Sequence, residues 1–262
     1  MNGRFEWVGM VGAVILVGAA AGLSRLQRLG LESEIVRSAV RGAVQLLVVG
    51  LGLGIVLDPR APMLWSWMWV VGIVVLASWT VSRRVHGLPG VFRIALVAHA
   101  FTAAVCLAGM FGGGMFPLEG RALVPLAGMA VGNSMKAAVV GARTLLQGVR
   151  DHNDEIEARL ALGLSGREAT AHLVRSVLRT ALTPQIETTR SVGLIALPGA
   201  MTGLILGGVD PVDAVLVQLA VLYMILGAVA IVTSVTVIGG LRSLVTPDHR
   251  LVWTGGRGEL ET

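Results

Sequence analysis

Asn133 and Lys136 lie in the middle of the apolar run between Val124 and Leu146, and Lys136 is the only lysine in the chain. Polar groups within an apolar segment usually face protein or water and often mark a solute pathway. Asn133 therefore either lines a pathway or bonds to a neighbouring helix. The Lys136 ammonium either extends along its helix towards water or faces the pathway, where it would favour an anionic or chelated solute over a bare cation.

Other side chains offer catalytic or metal-binding chemistry without the partners that such chemistry needs. Ser165 lies in GLSG, which is similar to the nucleophile motif of intramembrane serine proteases, but charges surround it and no later predicted span contains a histidine. No G-x-x-x-x-G-K-[ST] loop cradles nucleotide phosphates, and no Cys/His cluster has zinc-ligand spacing. We therefore expect that the chain is not an enzyme. Scattered soft ligands leave any metal site unassigned: His99, Met110, Met115, Met129 and Met201.

Composition indicates the elements that must position these residues. Of the 262 residues, 54% are hydrophobic and only 14% are charged, whereas soluble domains average about 25% charged. Apolar runs near or above ~18 residues recur, and each is a candidate membrane span. We predict an all-α polytopic membrane protein, a single permease-like domain over residues 1–262. Seven spans are expected, at 7–24, 36–57, 63–81, 92–111, 122–142, 191–208 and 212–238.

Arginines between the spans predict the orientation. They follow the first, third and last spans and fill the polar stretch after the fifth, while the opposite side holds few bases. The positive-inside rule then places the N-terminus outside and the C-terminus in the cytoplasm. The expected location is the plasma (inner) membrane. Because the bases come after the first span, we expect a retained helix rather than a cleaved signal peptide. The net charge of +5 is a topology signal, and we infer no nucleic-acid partner from it.

The cytoplasmic insert at 148–190 contains helix boundary signals. Asp154 is predicted to cap a first helix, with Glu157 at the capping-box position. Gly163 suits the left-handed residue that ends such a helix. Ser165 is predicted to open a second helix, with Glu168 at the box position. The first helix would be a short, rigid protrusion, for which docking to a partner is favoured.

An apolar stripe runs along the predicted second helix. Its members are Ala169, Leu173, Val177 and Ala181. Two uses fit an amphipathic helix of this kind. It either rests at the lipid interface, where arginines meet anionic headgroups, or it inserts into a groove of a cytoplasmic partner.

Small residues and one proline modify the predicted spans. Pairs such as Gly50 with Gly54 and Gly128 with Gly132 have the spacing that lets helices approach closely in lipid. Pro198 frees a backbone carbonyl at membrane depth, which predicts a kinked or broken helix that lines a cavity. Gln45 and Gln218 are weaker polar candidates of the same kind as Asn133.

Five segments together resemble the FetB-type permeases, the membrane subunits of a group of ABC transporters that includes bacterial iron exporters and plant aluminium-tolerance proteins. They are RGAVQLLVVG at 41–50, AGMAVGNSM at 127–135, LALGLSGREA at 160–169, LRTALTPQIETTRSVGLIALPGAMTG at 178–203 and GGVDPVDAVLVQ at 207–218. They cover most of the chain in the family's order. One departure is that Ala200 precedes Met201, where the family often has paired methionines.

The resemblance implies a permease subunit that works with a separate cytoplasmic ABC ATPase, two copies of each forming the transporter. That ATPase would bind ATP and Mg, and this chain would carry no cofactor. The coupling residues would be Glu157, Arg159, Leu160, Leu162, Gly163 and Glu168. The transport pathway would include Gln45, Asn133, Met135, Pro198, Met201, Thr202 and Gln218.

The resemblance makes export of iron or another metal species the leading function. The substrate and the direction of transport come from the resemblance alone. An ABC permease for an organic or nucleotide-linked solute is the alternative within transport. An ATPase-independent carrier or an intramembrane enzyme is the alternative from another class, and a lone ABC ATPase gene beside this one would argue against both.

Overall fold

The computed structural model is all-helical, as the sequence predicts, and describes residues 3–58, 60–193, 198–246 and 250–251. These residues form ten helices and no sheet, with one isolated antiparallel bridge between Val245 and Leu251. The helices are α1 Gly3–Leu26, α2 Glu32–Val56, α3 Met63–Arg84, α4 Val91–Gly112, α5 Gly120–Asp151, α6 Asn153–Ala161, α7 Gly166–Ala169, α8 Ala171–Ser191, α9 Gly199–Leu206 and α10 Pro211–Leu244.

Within the part of the chain that the structure describes, five helices are long and apolar enough to cross a membrane, namely α2, α3, α4, α5 and α10. The segment Met10–Leu26 of α1 is a shorter apolar helix. The chain is therefore a multi-pass helical membrane protein. The count of seven spans and the orientation stay predictions.

The sixth predicted span, 191–208, is not one continuous helix. Helix α8 ends at Ser191, Val192 is extended, and Gly193 has a φ of 87°. Residues 194–197 lie outside the described residues. Pro198 is extended, with φ −63° and ψ 140°, and α9 after it has only eight residues, about 12 Å at ~1.5 Å per residue. The kinked or broken helix predicted at Pro198 is therefore observed as a break, because Pro198 lacks an N–H and its ring clashes with a preceding turn.

The chain divides into two compact units, Met1–Ala61 and Pro62–Thr262. The boundary lies within what the sequence analysis treats as one permease domain. In the first unit, α1 packs against α2. Most large apolar side chains described in this unit are exposed, as expected of helices that present apolar faces to lipid.

Helices α5 and α10 form the centre of the second unit, and α3, α4 and α8 pack around them. Leu145 of α5 and Val237 of α10 are fully buried in the main core. The two backbones approach closely at Gly141, where an added Cβ would lie 3.1 Å from Thr233 Cγ2. The close packing of α5 against α10 at this crossing therefore requires glycine, which has no side chain, at position 141.

The glycine pairs singled out from spacing do not make these close approaches. An added Cβ on Gly50, Gly54, Gly128 or Gly132 would meet no atom within 4 Å among the residues that the structure describes. These glycines are therefore not sites of close helix contact among the described residues, and their role in packing stays a prediction. Spacing identifies a small-residue face but does not say which face a neighbouring helix covers.

The predicted apolar stripe of the insert is buried. Leu173, Val177 and Ala181 lie on α8 and are at most 5% exposed, because α8 packs against α5 and α10. The same contacts make the stripe unavailable to lipid headgroups or to a partner's groove. Both uses predicted for the longer helix are therefore replaced by packing within the chain's own core.

Candidate functional site

Helix α6 begins almost directly where α5 ends. Only His152 separates them, and its backbone N–H still donates to the Gly148 carbonyl at 3.1 Å. The predicted cap at Asp154 is wrong, since α6 starts at Asn153 and no side chain caps it. Asp154 instead lies in the first turn, where the helix dipole favours a carboxylate. The near-continuity with α5 gives α6 a firm base.

A Schellman motif ends α6 as predicted, with Gly163 in the left-handed region at φ 87°. The Gly163 N–H donates to the Leu160 carbonyl at 3.0 Å, and the Leu164 N–H donates to the Arg159 carbonyl at 3.2 Å. These two bonds are the 5→2 and 6→1 pair of that motif. The turn at residues 161–164, hereafter the α6 turn, presents the Leu162 side chain at 80% exposure.

The opposite face of α6 is part of the main core. Ile156 is fully buried and Leu160 is 5% exposed. Leu160 therefore cannot touch a partner directly, and any contribution that it makes to coupling is to hold α6 in place. Glu157 is exposed, together with Leu162, so these two of the predicted coupling residues are available for contact.

Arg159 joins α6 to the helices that follow it. Its Nη2 donates to Glu155 Oε1 at 2.6 Å within α6. Its Nη1 donates to the Ala169 carbonyl at 3.3 Å and to His172 Nδ1 at 3.1 Å. A guanidinium has five donors in a rigid fork, which suits it to bridge several acceptors. Arg159 thus fixes the α6 turn relative to α7 and α8.

The predicted capping box between Ser165 and Glu168 is formed. The Glu168 N–H donates to Ser165 Oγ at 3.3 Å, and the Ser165 N–H donates to Glu168 Oε2 at 3.0 Å. The Ser165 hydroxyl also donates to Glu168 Oε2 at 2.6 Å. These hydrogen bonds lower the pKa of the Glu168 carboxyl below its ordinary value, with the hydroxyl bond as the largest cause. The box opens α7, but Thr170 interrupts the predicted single helix before α8 begins.

Ser165→Ala is expected to raise the pKa of Glu168 towards its ordinary value, because the carboxylate loses its hydroxyl donor. The folded pKa of Glu168 is depressed, so its stabilising effect exists above the unfolded pKa and is lost as pH falls through the folded pKa. Carboxyl ¹³C NMR titration of the full chain in nanodiscs measures the shift. Ser176→Ala, on an exposed position of α8, is the matched control. An unchanged Glu168 titration in Ser165→Ala would contradict the box.

Three predicted pathway residues lie at the start of α9. Pro198 is the N-cap of α9, and Thr202 Oγ1 donates to its carbonyl at 3.2 Å. The Thr202 backbone N–H donates to the same carbonyl at 3.1 Å, so the hydroxyl adds a second donor to a carbonyl that the helix already satisfies. Met201 is half-buried and Thr202 is exposed.

A cavity of about 440 Å³ lies where α9 meets α5 and α10. Its lining includes Pro125, Met129, Ala200, Gly203, Leu204 and Val217, and the charged pair Glu119 and Arg121. None of the described pathway candidates lines it, although Asn133, Met201 and Gln218 lie on its three helices. Sequence reasoning missed Gly203 and Leu204 as lining residues, because an apolar run does not reveal that α9 folds back beside α5.

Asn133 and Met135 have ordinary packing partners. The Asn133 Nδ2 donates to the Met129 carbonyl at 2.8 Å, so this amide nitrogen is bonded within α5 and not to a second helix. Met135 packs against two buried clusters, one of which contains Val74 and Val131. Lys136 is exposed. Asn133 is therefore half-buried with its amide nitrogen hydrogen-bonded, and Met135 contributes to core packing.

Buried polar atoms without a hydrogen-bond partner occur on α4 and α10. Among the described residues they are His99 Nε2, Gln218 Oε1, Thr233 Oγ1 and Thr236 Oγ1. Since a carbonyl only accepts, the 2.8 Å contact of His99 Nδ1 with the Ala95 carbonyl requires a proton on Nδ1 and leaves Nε2 as a free acceptor. Buried groups of this kind usually bond to water or a ligand. Gln45 lies in the other unit, exposed on α2 beside Arg41.

Comparison with known proteins identifies a family and several relatives. The profile of the "Uncharacterised protein family (UPF0014)" matches residues 7–245. "UPF0014 membrane protein STAR2" of Oryza sativa subsp. japonica is 38% identical over 218 residues, 83% of this chain and 76% of its own length. "Probable iron export permease protein FetB" of Escherichia coli (strain K12) is 31% identical over 242 residues, 92% and 93% of the two chains. "Protein ALUMINUM SENSITIVE 3" of Arabidopsis thaliana is 33% identical over 240 residues, 88% and 87%. No solved structure matches.

Proposed function

Since this chain belongs to the UPF0014 family, we propose that it is the membrane-embedded permease subunit of an ABC transporter that exports iron or another metal species. The relative named as an iron export permease spans nearly the whole chain, which supports a transport role. ATP and Mg are bound by a separate ATPase subunit. Two copies of each subunit form the transporter in the plasma membrane.

The α6 turn is the observation that carries this proposal. A leucine that is 80% exposed stands on a turn held by a Schellman motif, by a buried helix face and by Arg159. Exposed large apolar side chains on rigid supports mark protein contacts. With the N-terminus outside and the C-terminus inside, this turn faces the cytoplasm, where an ATPase groove covers Leu162 and Glu157.

Rigid mounting explains how force would pass from the ATPase to the membrane. Ile156 and Leu160 anchor α6 in the core that also contains α5 and α10. Movement of the docked α6 turn therefore moves α5, because only His152 lies between the two helices. Interfaces and packed cores switch between discrete arrangements, so a small displacement at the turn reaches the cavity beside α9.

Reconstitution tests the function directly. The permease and the separate ABC ATPase proposed as its partner are placed together in vesicles, and ATP-driven flux of Fe²⁺ is measured. The expected result is flux that needs ATP and both subunits, with ATP hydrolysis stimulated by the permease. The proposal would be overturned by Fe²⁺ flux through the permease alone, or by a rate of ATP hydrolysis that is the same with and without the permease.

Filling the cavity beside α9 is expected to slow transport without dissociating the subunits. Gly203 lines that cavity, and an added Cβ there meets no atom within 4 Å, so Gly203→Leu fits without distorting the fold. We expect flux to fall roughly tenfold, which corresponds to a barrier raised by about 1.4 kcal/mol. Gly199→Leu is the control on the same helix, because it has equal space and does not line the cavity. Equal flux in the two variants would remove the cavity from the pathway.

A further inference from the structure

Three ligand-bearing side chains converge at the base of α6, away from the cavity and from the α6 turn. They are His152 before α6, Glu155 in its first turn and His172 on α8. One ligand atom from each lies within 4.8 Å of the others. Glu155 Oε2 is 3.9 Å from His172 Nε2, and the two imidazole rings meet edge to face with centroids 5.8 Å apart. In the permease mechanism above, Glu155 and His172 serve only as hydrogen-bond partners of Arg159, and the His152 side chain has no role.

The donor set indicates a class of ion. Two imidazole nitrogens with one carboxylate oxygen suit Zn²⁺, Fe²⁺ or Co²⁺, whereas Mg²⁺ and Ca²⁺ prefer oxygen alone. Around one such ion at a bond length near 2.1 Å, tetrahedral ligand atoms lie about 3.4 Å apart. The present separations need to shorten by at most about 1.4 Å, the difference between 4.8 Å and that spacing. Side-chain rotation at the surface supplies such a change.

His152 already has the tautomer that a metal ion requires. Its Nδ1 lies 3.0 Å from the Gly148 carbonyl, and a carbonyl only accepts, so Nδ1 carries the proton. The lone pair is then on Nε2. Metal-binding histidines commonly use a backbone carbonyl in this way to orient the ring.

Arg159 now provides the positive charge at this cluster. It bonds Glu155 Oε1 at 2.6 Å and His172 Nδ1 at 3.1 Å. Because a guanidinium only donates, His172 Nδ1 accepts, and its proton lies on Nε2 beside Glu155. A metal ion on Nε2 would require that proton to move to Nδ1, and Arg159 would then lose its acceptor. Metal binding and the Arg159–His172 bond are therefore alternatives.

We propose that His152, Glu155 and His172 form a binding site for a divalent first-row transition-metal ion, and that its occupancy releases Arg159 from His172. The ion takes the Nε2 atoms of both histidines and Oε2 of Glu155, with water completing its coordination. Arg159 keeps its bond to Glu155 Oε1, so the carboxylate bridges the ion and the guanidinium. One of the bonds that fix the α6 turn to α8 is thereby lost. Any effect of this release on ATPase stimulation rests on the proposed function; the site itself does not.

Titration of the purified, tag-free chain with Co²⁺ tests the site, with visible absorption as the readout and Zn²⁺ as competitor. We expect His172→Ala to bind one Co²⁺ per chain fewer than the unmodified protein, and Glu155→Gln to weaken that site at least tenfold. Arg159→Gln is expected to tighten it about tenfold, because the competing donor is gone. His86→Ala, at an exposed histidine between α3 and α4, is the matched control and leaves binding unchanged.

Several results would overturn the site. The first is that the unmodified chain binds no Co²⁺, and the second is that His86→Ala and His172→Ala lose the same amount of bound Co²⁺. The third is that Glu155→Gln binds Co²⁺ as tightly as the unmodified chain. Because glutamine keeps the shape of the glutamate side chain, Glu155→Gln still tests the site if His172→Ala fails to fold. Unchanged affinity in Arg159→Gln would overturn the release of Arg159. These titrations need no ATPase, so failure of the site and failure of the transporter assignment are observed separately.

Discussion

Leu162→Asp is expected to lower permease-stimulated ATP hydrolysis by at least tenfold while the permease stays folded. Leu162 is 80% exposed on the α6 turn, so the free protein loses almost no packing when the side chain changes. Burying one leucine against a partner contributes about 1.5–3 kcal/mol, and 1.4 kcal/mol is tenfold in affinity. A carboxylate in the same groove adds the cost of burying an unpaired charge.

Stimulated ATP hydrolysis and co-purification with the ATPase measure this effect. Leu162→Met keeps an apolar side chain of similar size and is expected to retain stimulation. Ser176→Asp adds the same charge at an exposed position of α8 and controls for surface charge. If Leu162→Asp stimulates the ATPase as well as the unmodified permease does, the α6 turn is not the docking site.

Local features of this turn could be predicted from sequence because they depend on neighbours in the chain. Gly163 in the left-handed region and the box between Ser165 and Glu168 involve residues at most five apart, and both are confirmed. Asp154 failed as a cap for a tertiary reason. Helix α5 runs through to Asp151 and leaves no free helix start at the predicted position.

The partners of each apolar face could not be predicted. Periodicity identified the stripe with Leu173 and Val177, and both are buried. It did not reveal that α5 and α10 bury that stripe, because those contacts join residues far apart in the chain. Leu160 illustrates the same limit, since its spacing suits docking and core packing equally well and the structure buries it.

The convergence of His152, Glu155 and His172 was also beyond the sequence analysis. The His-x-x-Glu spacing puts two ligands one turn apart, which is a readable but weak signal. His172 joins them only after the breaks at Gly163 and Thr170 reverse the path of the chain. The break near Pro198 could be predicted locally, because a proline in an apolar run indicates a kinked or broken helix.

Gly141→Leu is expected to destabilise the second unit, because α5 and α10 cross at that glycine without room for a side chain. An added Cβ would lie 3.1 Å from Thr233 Cγ2 and 3.2 Å from Val237 Cγ2. Both neighbours are fully buried and β-branched, so their rotamers cannot move aside easily. Overpacking of this kind costs about 1–3 kcal/mol or more in free energy of unfolding.

Thermal unfolding of the detergent-purified permease measures the cost, with an expected fall in apparent Tm of roughly 2–12 °C for a chain of this size. Gly132→Leu is the matched control on the same helix, since an added Cβ there meets no atom within 4 Å and leucine favours helix over glycine. We expect its Tm to stay unchanged or to rise. Equal losses in the two variants would mean that the α5 face with Gly132 is packed as closely as the face with Gly141. The assignment of α10 as the main partner of α5 would then be wrong.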